Sequence, residues 1–260
     1  PGFAGYQAYD PEQAAISLAP VDFTGFMLSQ FASVAEVREA AQNIRVVPVV
    51  TPELGVAAPV HFSITDRSGD QVIVEYIGGV LKIYEKTLGV LTNSPPYDWH
   101  INNARNYINM RSVDWPEVDV NGVDLAPIGY GTGLLGLPGD FTPPSRFIRA
   151  LAWTQTSRPT DGGEDTVHEA LRILANFQLP MEATDQKLNP AELKVLKYGG
   201  TQYTVSYDLQ NLRVYFQTSE NPTVRSVDFD KVDFNALSTP LKIPMRDNSI
   251  PFSTDVTPFP

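Results

Sequence analysis

The 260-residue sequence contains no cysteine. These residues can therefore form no disulfide, no thiolate metal site and no thiol nucleophile. Positive charge is also scarce, since 19 lysines and arginines stand against 30 aspartates and glutamates, for a net charge of −11 and an isoelectric point near 4.7. Because binding to nucleic acid requires a basic surface, this balance argues against a nucleic-acid partner and disfavours attraction to an anionic membrane.

Long apolar runs are absent too. No stretch approaches the length of a membrane-spanning helix, so the sequence predicts no membrane partner. The opening residues, Pro1 to Tyr6, lack the basic region and apolar core of a signal peptide. Since the true N-terminus could lie before Pro1, the cellular compartment stays open.

The spacing of apolar residues predicts alternating groups of helices and strands. A capping box from Ser33 to Glu36 opens a helix whose apolar positions extend to Ile44. The predicted helices cover residues 23–31, 34–44, 99–109, 145–154 and 166–174, and the predicted strands lie between 46 and 92 and between 201 and 229. This order indicates an α+β fold with sheets packed between helices, in a single domain spanning residues 1–260. The Pro-, Ser-, Thr- and Asp-rich residues 243–260 are predicted to form a surface tail.

No cofactor or metal site is predicted. The segment Gly131 to Gly136 matches the dinucleotide pattern G-x-G-x-x-G, but no strand precedes it and Pro138-Gly139 prevents the required helix. The three histidines, His61, His100 and His168, are far apart and lack metal-binding spacing. We therefore interpret them as one strand residue and two residues on helix surfaces.

Two polar residues are candidates for a functional site. Asn93 ends a predicted strand and is followed by Ser94-Pro95-Pro96, which fixes the direction of the chain. The simpler interpretation is a turn asparagine that bonds within its own loop. Arg146 stands in the first turn of a helix that has Thr142 as its predicted cap, where a cation opposes the helix dipole. Its position favours a site-facing partner, although a plain surface arginine is also common.

Two motifs carry a resemblance to a known family. One is Leu91 to Tyr107, which includes Leu-Thr-Asn-Ser-Pro-Pro-Tyr-Asp-Trp, and the other is Leu137 to Arg149, which includes Leu-Pro-Gly-Asp and Ser-Arg-Phe-Ile-Arg. With the hairpin-like segment Ile64 to Glu75, they resemble the choloylglycine hydrolase family of bile salt hydrolases and penicillin V acylases. The resemblance covers most of the chain and is densest from Phe23 to Trp153.

The resemblance implies a fold and a mechanism. Its fold is the four-layer αββα sandwich of N-terminal-nucleophile hydrolases, in which an N-terminal cysteine attacks a linear amide. By motif, Asn93 is the asparagine that holds the catalytic amine and the substrate amide in register. Arg146 is the arginine beside the nucleophile, where its charge favours the thiolate. Pro1 to Tyr6 resembles a segment after the family's first asparagine, so we expect the first quarter, with the cysteine, on a separate or missing N-terminal segment.

The resemblance also implies a pocket and an assembly. The loop that contains Val49, Thr51 and Leu54 is similar to a family loop over the apolar part of the substrate. Residues 109–139 resemble the segment through which family members form tetramers. The implied substrates are small-molecule amides, namely bile salts conjugated to glycine or taurine, penicillin V, or N-acyl homoserine lactones. The motifs resemble those of bile salt hydrolases more closely than those of the other family members.

Two other hypotheses remain open at this point. The chain could be an inactive family member that serves as a binding module, which a mature N-terminus other than Cys, Ser or Thr would favour. Alternatively, it is an unrelated acidic α+β binding domain, in which case Asn93 and Arg146 should lie far apart in space.

Overall fold

The computed structural model describes residues 2–52, 54–181, 183, 200–237, 239–247 and 249–256. These residues divide into two compact units, one ending at Arg158 and the other beginning at Pro159. The expectation of one domain over 1–260, and of a surface tail at 243–260, stays a prediction. Among the described residues, no helix has the length and apolarity needed to cross a membrane.

The first unit contains four α-helices and nine strands. The helices are α1 (Phe23–Gln30), α2 (Val34–Asn43), α3 (Tyr97–Ala104) and α4 (Pro143–Thr156). The strands are β1 (Ser17–Leu18), β2 (Arg45–Val46), β3 (Val50–Thr51), β4 (Val56–Ala57), β5 (Phe62–Thr65), β6 (Gln71–Ile77), β7 (Val80–Tyr84), β8 (Val118–Val120) and β9 (Val123–Leu125). Strands β5, β6 and β7 form an antiparallel sheet in that order.

The predicted capping box of α2 is confirmed. The Ser33 hydroxyl accepts from the Glu36 amide, and the Glu36 carboxylate accepts from the Ser33 amide. The turn between β5 and β6 reaches the same helix, since the Val34 amide donates to Asp66 Oδ2 at 2.9 Å and Arg38 pairs with Asp70 at 2.8 Å. The hairpin and the start of α2 are therefore joined by polar contacts.

Strand β6 is the centre of the core because it is buried on both faces. Its even-numbered residues, Val72, Val74 and Tyr76, pack with apolar side chains of α1 and α2. Ile73 points to the opposite face and packs with Tyr97 of α3 and with residues of α4. Helices thus cover both faces of the strand, and Glu75, which shares the face of Ile73, is completely buried.

One local prediction in this unit is wrong, and two elements were not predicted. Asp10 caps an unpredicted short 3-10 helix, Pro11–Ile16, by accepting from the Glu12 amide. Residues 90–92 form no strand, because the Thr92 carbonyl and hydroxyl bond to His61 and to the Pro143 carbonyl instead of to a neighbouring strand. Residues 109–139 contain the β8–β9 hairpin, which was also not predicted and whose Asn121-Gly122 turn has two positive φ angles, 55° and 82°.

The second unit contains α5 (Gly163–Ala175) and the antiparallel strands β10 (Tyr203–Asp208), β11 (Arg213–Thr218) and β12 (Arg225–Asp228). The predicted helix start at Thr166 is wrong, because the helix begins earlier, after Gly162. The Thr166 hydroxyl instead bonds to that of Thr160 at 2.7 Å.

Candidate active site

Asn93 and Arg146 meet in the structure. Asn93 is exposed in the loop before α3, and Arg146 lies in the first turn of α4. One Arg146 terminal nitrogen donates to Asn93 Oδ1 at 2.5 Å, while its Nε donates to the Phe141 carbonyl at 3.0 Å. These two bonds fix the plane of the guanidinium and the direction of the Asn93 amide.

The electrostatic setting of Arg146 is unusual for a residue at a helix start. Burial, and then the neighbouring charge of Arg149, lower the pKa of the Arg146 guanidinium. An arginine nevertheless keeps its charge at neutral pH. A cation is therefore held beside Asn93 at a helix end that disfavours it.

The loop before α4 is held by Asp140. Its carboxylate accepts from the Thr142 amide at 2.9 Å and from the hydroxyls of Thr142 and Ser145 at 2.5 and 2.7 Å. The two hydroxyl bonds are the main cause that lowers the pKa of Asp140 to about 2. Thr142 occupies the predicted cap position, but its side chain does not cap the helix, since Asp140 takes its hydroxyl. Arg149 supports the same loop by donating to the Pro138 carbonyl at 3.0 Å and to the Asp140 carbonyl.

Two histidine rings bond to the backbone at Asn93. His61 Nε2 lies 2.6 Å from the Thr92 carbonyl, and His100 Nε2 lies 3.0 Å from the Asn93 carbonyl. The prediction that His100 lies on a helix surface is wrong, because the residue is fully buried and stacks on Phe147 at 4.6 Å. His61 precedes β5, with a side chain only 8% exposed. His168 is exposed on α5, as predicted.

Glu75 is a further polar residue of this region and was not among the predicted site residues. Its Oε1 lies 2.9 Å from His61 Nδ1, and its Oε2 accepts from the Tyr97 amide at 3.0 Å. A signal for it existed: Glu75 is the one charged residue of the strand Gln71–Ile77, and a carboxylate inside such an apolar segment requires a buried partner.

The residues predicted to bind substrate lie on the β3–β4 hairpin and its approach. Val49 is exposed, Thr51 ends β3, and Leu54 lies in the turn, where its amide donates to the Thr51 carbonyl at 3.0 Å. The Thr51 hydroxyl is buried and has no hydrogen-bond partner among the described residues. In that part of the chain, no hydrogen bond joins this hairpin to Asn93 or Arg146, so its place in the site stays a prediction.

The side chain of Asn93 can donate hydrogen bonds to a bound group. Because Oδ1 is occupied by Arg146, the side-chain amide presents N–H groups at an exposed position. Paired with a cation, such donors stabilise negative charge on a sulfur or oxygen atom. The described residues contain no group of three side chains able to hold a metal ion.

Comparisons with known proteins identify the family of the chain. Residues 1–241 match the family described as linear amide C-N hydrolases, choloylglycine hydrolase family. A bile salt hydrolase/transferase of Clostridium perfringens is 32% identical over 241 residues, which is 91% of this chain and 71% of that protein.

Solved structures show the same fold. A cysteine-to-alanine variant of the conjugated bile acid hydrolase from Clostridium perfringens aligns with a TM-score of 0.77 and 29% identity, over 94% of this chain and 72% of that one. A penicillin V acylase from Agrobacterium tumefaciens aligns with a TM-score of 0.66 and 22% identity, over 88% and 61% respectively. The predicted α+β class, the αββα fold of N-terminal-nucleophile hydrolases, is confirmed.

Proposed function

Because the chain belongs to the choloylglycine hydrolase family of linear amide C-N hydrolases, we propose that it provides the Asn93–Arg146 part of a cofactor-independent amidase site. The nucleophile is a cysteine on a polypeptide segment outside these 260 residues, which contain none. The observation that supports this proposal most directly is the 2.5 Å bond between Arg146 and Asn93 Oδ1. This bond places a cation and an amide donor at one exposed point.

The roles of the two residues follow from their chemistry. A thiolate is the reactive form of cysteine, and the Arg146 charge lowers the free energy of that form. The thiolate attacks the amide carbon, the C–N bond breaks, the leaving amine takes a proton, and water then hydrolyses the thioester. The Asn93 amide holds the substrate amide and the catalytic amine in register while negative charge develops.

Among substrates, we propose a bile salt conjugated to glycine or taurine ahead of penicillin V or an N-acyl homoserine lactone. Relatives named as bile salt hydrolases support this order. The apolar part of the substrate would contact Val49, Thr51 and Leu54. The exposed aliphatic side chain of Val49 supports contact with an apolar group. The buried, unpaired Thr51 hydroxyl would bond to a polar group of the same substrate.

Two alternatives to the hydrolase were open from the sequence. The second candidate is an inactive family member that binds a small molecule or a protein, and a mature N-terminus other than Cys, Ser or Thr would favour it. The hypothesis of an unrelated acidic domain is wrong, since the family matches residues 1–241 and Asn93 contacts Arg146.

We also propose a homo-oligomer, a tetramer, formed through residues 109–139. The β8–β9 hairpin supports this proposal: Val118, Val120, Val123 and Leu125 alternate along its strands and are all about half exposed. A two-stranded ribbon with an exposed aliphatic face is marginal in water, so contact with a second copy would stabilise it. Val120→Asp should lower the mass measured by light scattering, whereas Asp119→Asn on the other face should not. An unchanged mass in Val120→Asp would contradict the proposal.

The first experiment on function combines intact mass and N-terminal sequencing of the purified native protein with an assay of amine release. Glycocholate, taurocholate and penicillin V are the substrates. A polypeptide beginning with cysteine, together with release of the amine, supports the hydrolase. A sample without an N-terminal Cys, Ser or Thr that releases no amine but binds cholate in calorimetry supports the binding module instead.

A further inference from the structure

The backbone around Asn93 is held from two sides by buried rings. The carbonyl before the Asn93 amide bonds to His61, and the carbonyl of Asn93 itself bonds to His100. Because a carbonyl oxygen only accepts, each ring must carry a hydrogen on Nε2. Two consecutive carbonyls are thus fixed by side chains from different elements of the fold.

Glu75 contacts the His61 ring and the start of the helix that carries His100. One carboxylate oxygen contacts His61 Nδ1, and the other accepts from the amide of Tyr97, the first residue of α3. Since α3 carries His100, both supports of the Asn93 backbone trace back to one carboxylate. Glu75 is 0% exposed, so water does not compete for these bonds.

The contact between Glu75 and His61 fixes the rotation of the His61 ring. A carboxylate oxygen only accepts, so the hydrogen bond at Oε1 holds Nδ1 on one side of the ring while Nε2 donates to the Thr92 carbonyl on the other.

We propose that Glu75, His61 and His100 are positioning residues that orient the Asn93 side chain for the reaction. None of them is placed against the substrate, so they act through the Thr92–Asn93 backbone. The inference rests on the proposed amidase function of Asn93. Small displacements of a catalytic group have large effects on rate, and about 1 Å can cost about a hundredfold.

The test uses three variants of the full-length encoded protein. His61→Phe keeps a flat ring of similar shape but removes both hydrogen bonds of the His61 ring. Glu75→Gln is the conservative rescue, because its amide oxygen still accepts from Tyr97 and its NH₂ donates to His61 Nδ1. Asp66→Ala is the control. It removes the hydrogen bond from the Val34 amide at the start of α2, in the same unit, and no contact at Asn93. If His61→Phe does not fold, the double variant with Glu75→Gln replaces it, because it leaves no unpaired buried carboxylate.

We expect His61→Phe to lower kcat about a hundredfold with KM within threefold of the wild type. Glu75→Gln should keep kcat within about fivefold, and Asp66→Ala should keep kcat even where it lowers Tm as much as His61→Phe does. Hydrogen exchange of the peptide covering residues 90–101 should accelerate in His61→Phe and stay unchanged in Asp66→Ala.

Several results would overturn the inference. These are an unchanged kcat in His61→Phe, a Glu75→Gln variant as slow as His61→Phe, or unchanged exchange at residues 90–101. A wild-type protein that cleaves no amide would refute the proposed function instead, while the exchange measurement would still decide whether this network holds Asn93.

Discussion

Asn93→Asp separates the two functions of the Asn93 side chain. The substitution changes size very little and keeps Oδ1, which accepts from Arg146. It replaces the N–H donors with a second acceptor, so the contact with Arg146 becomes an ion pair while the proposed substrate donor disappears. Stability and activity should therefore change in opposite directions.

The two magnitudes are far enough apart to be distinguished. Asn93 is exposed and Arg146 is partly exposed, so the new ion pair should stabilise the fold by about 0–1 kcal/mol. Loss of one donor to a developing negative charge lowers kcat by about 10²–10³, which corresponds to about 2.7–4 kcal/mol. A general loss of folding cannot explain such a drop when the free energy of unfolding rises or stays constant.

The measurements are urea unfolding and amine release from the best wild-type substrate. Asn102→Asp is the matched control, because Asn102 is also exposed and its Oδ1 also lies near an arginine, Arg105, at 3.5 Å. It should change neither quantity by a measurable amount. Activity of Asn93→Asp within threefold of the wild type would refute the donor role. Destabilisation by more than about 1 kcal/mol would refute the bond between Oδ1 and Arg146.

Three further predictions concern stability. Ser33→Ala should lower the free energy of unfolding by about 1 kcal/mol in urea titration, because the hydroxyl caps α2; an unchanged midpoint would contradict the cap. Burial lowers the pKa of His100 below its ordinary 6.5, so the neutral ring stabilises the fold above pH 6.5 and this contribution is lost as the pH falls through the lowered pKa. His100→Gln should weaken that acid dependence of Tm, and an identical pH profile would count against it. Hydroxyl donors lower the pKa of Asp140 to about 2, so its stabilising contribution, present above the ordinary 3.8, is lost as the pH falls towards 2. Asp140→Asn should reduce the loss of Tm over that range, and a wild-type-like acid transition would show that the bonds do not matter.

Local patterns in the sequence predicted much of the fold. The capping box at Ser33, the alternation along β5 to β7 and the strands β10 to β12 depend on neighbouring residues, and the structure contains them. The Asn121-Gly122 turn was also readable, since this dipeptide favours a two-residue hairpin, but the hairpin was not predicted.

The site was predictable only in part. The resemblance to the family selected Asn93 and Arg146, and the structure joins them. The network around them depends on contacts between residues 7 to 31 positions apart, of which the longest joins His61 to Thr92. Periodicity indicates which face of an element is buried, but it does not identify the polar partner on that face.

The contacts from Asp66 and Asp70 to α2 affect how β5 and β6 reach their correct pairing during folding. A slip of one residue between β5 and β6 would turn Val72 and Val74 away from α1 and α2 and would also carry Asp66 away from the Val34 amide. The hydrogen bond from the Val34 amide to Asp66 therefore forms only when β5 and β6 pair in the correct register. Misaligned hairpins would leave a frayed first turn in α2, which makes the Val34 amide a sensitive reporter of register in exchange experiments.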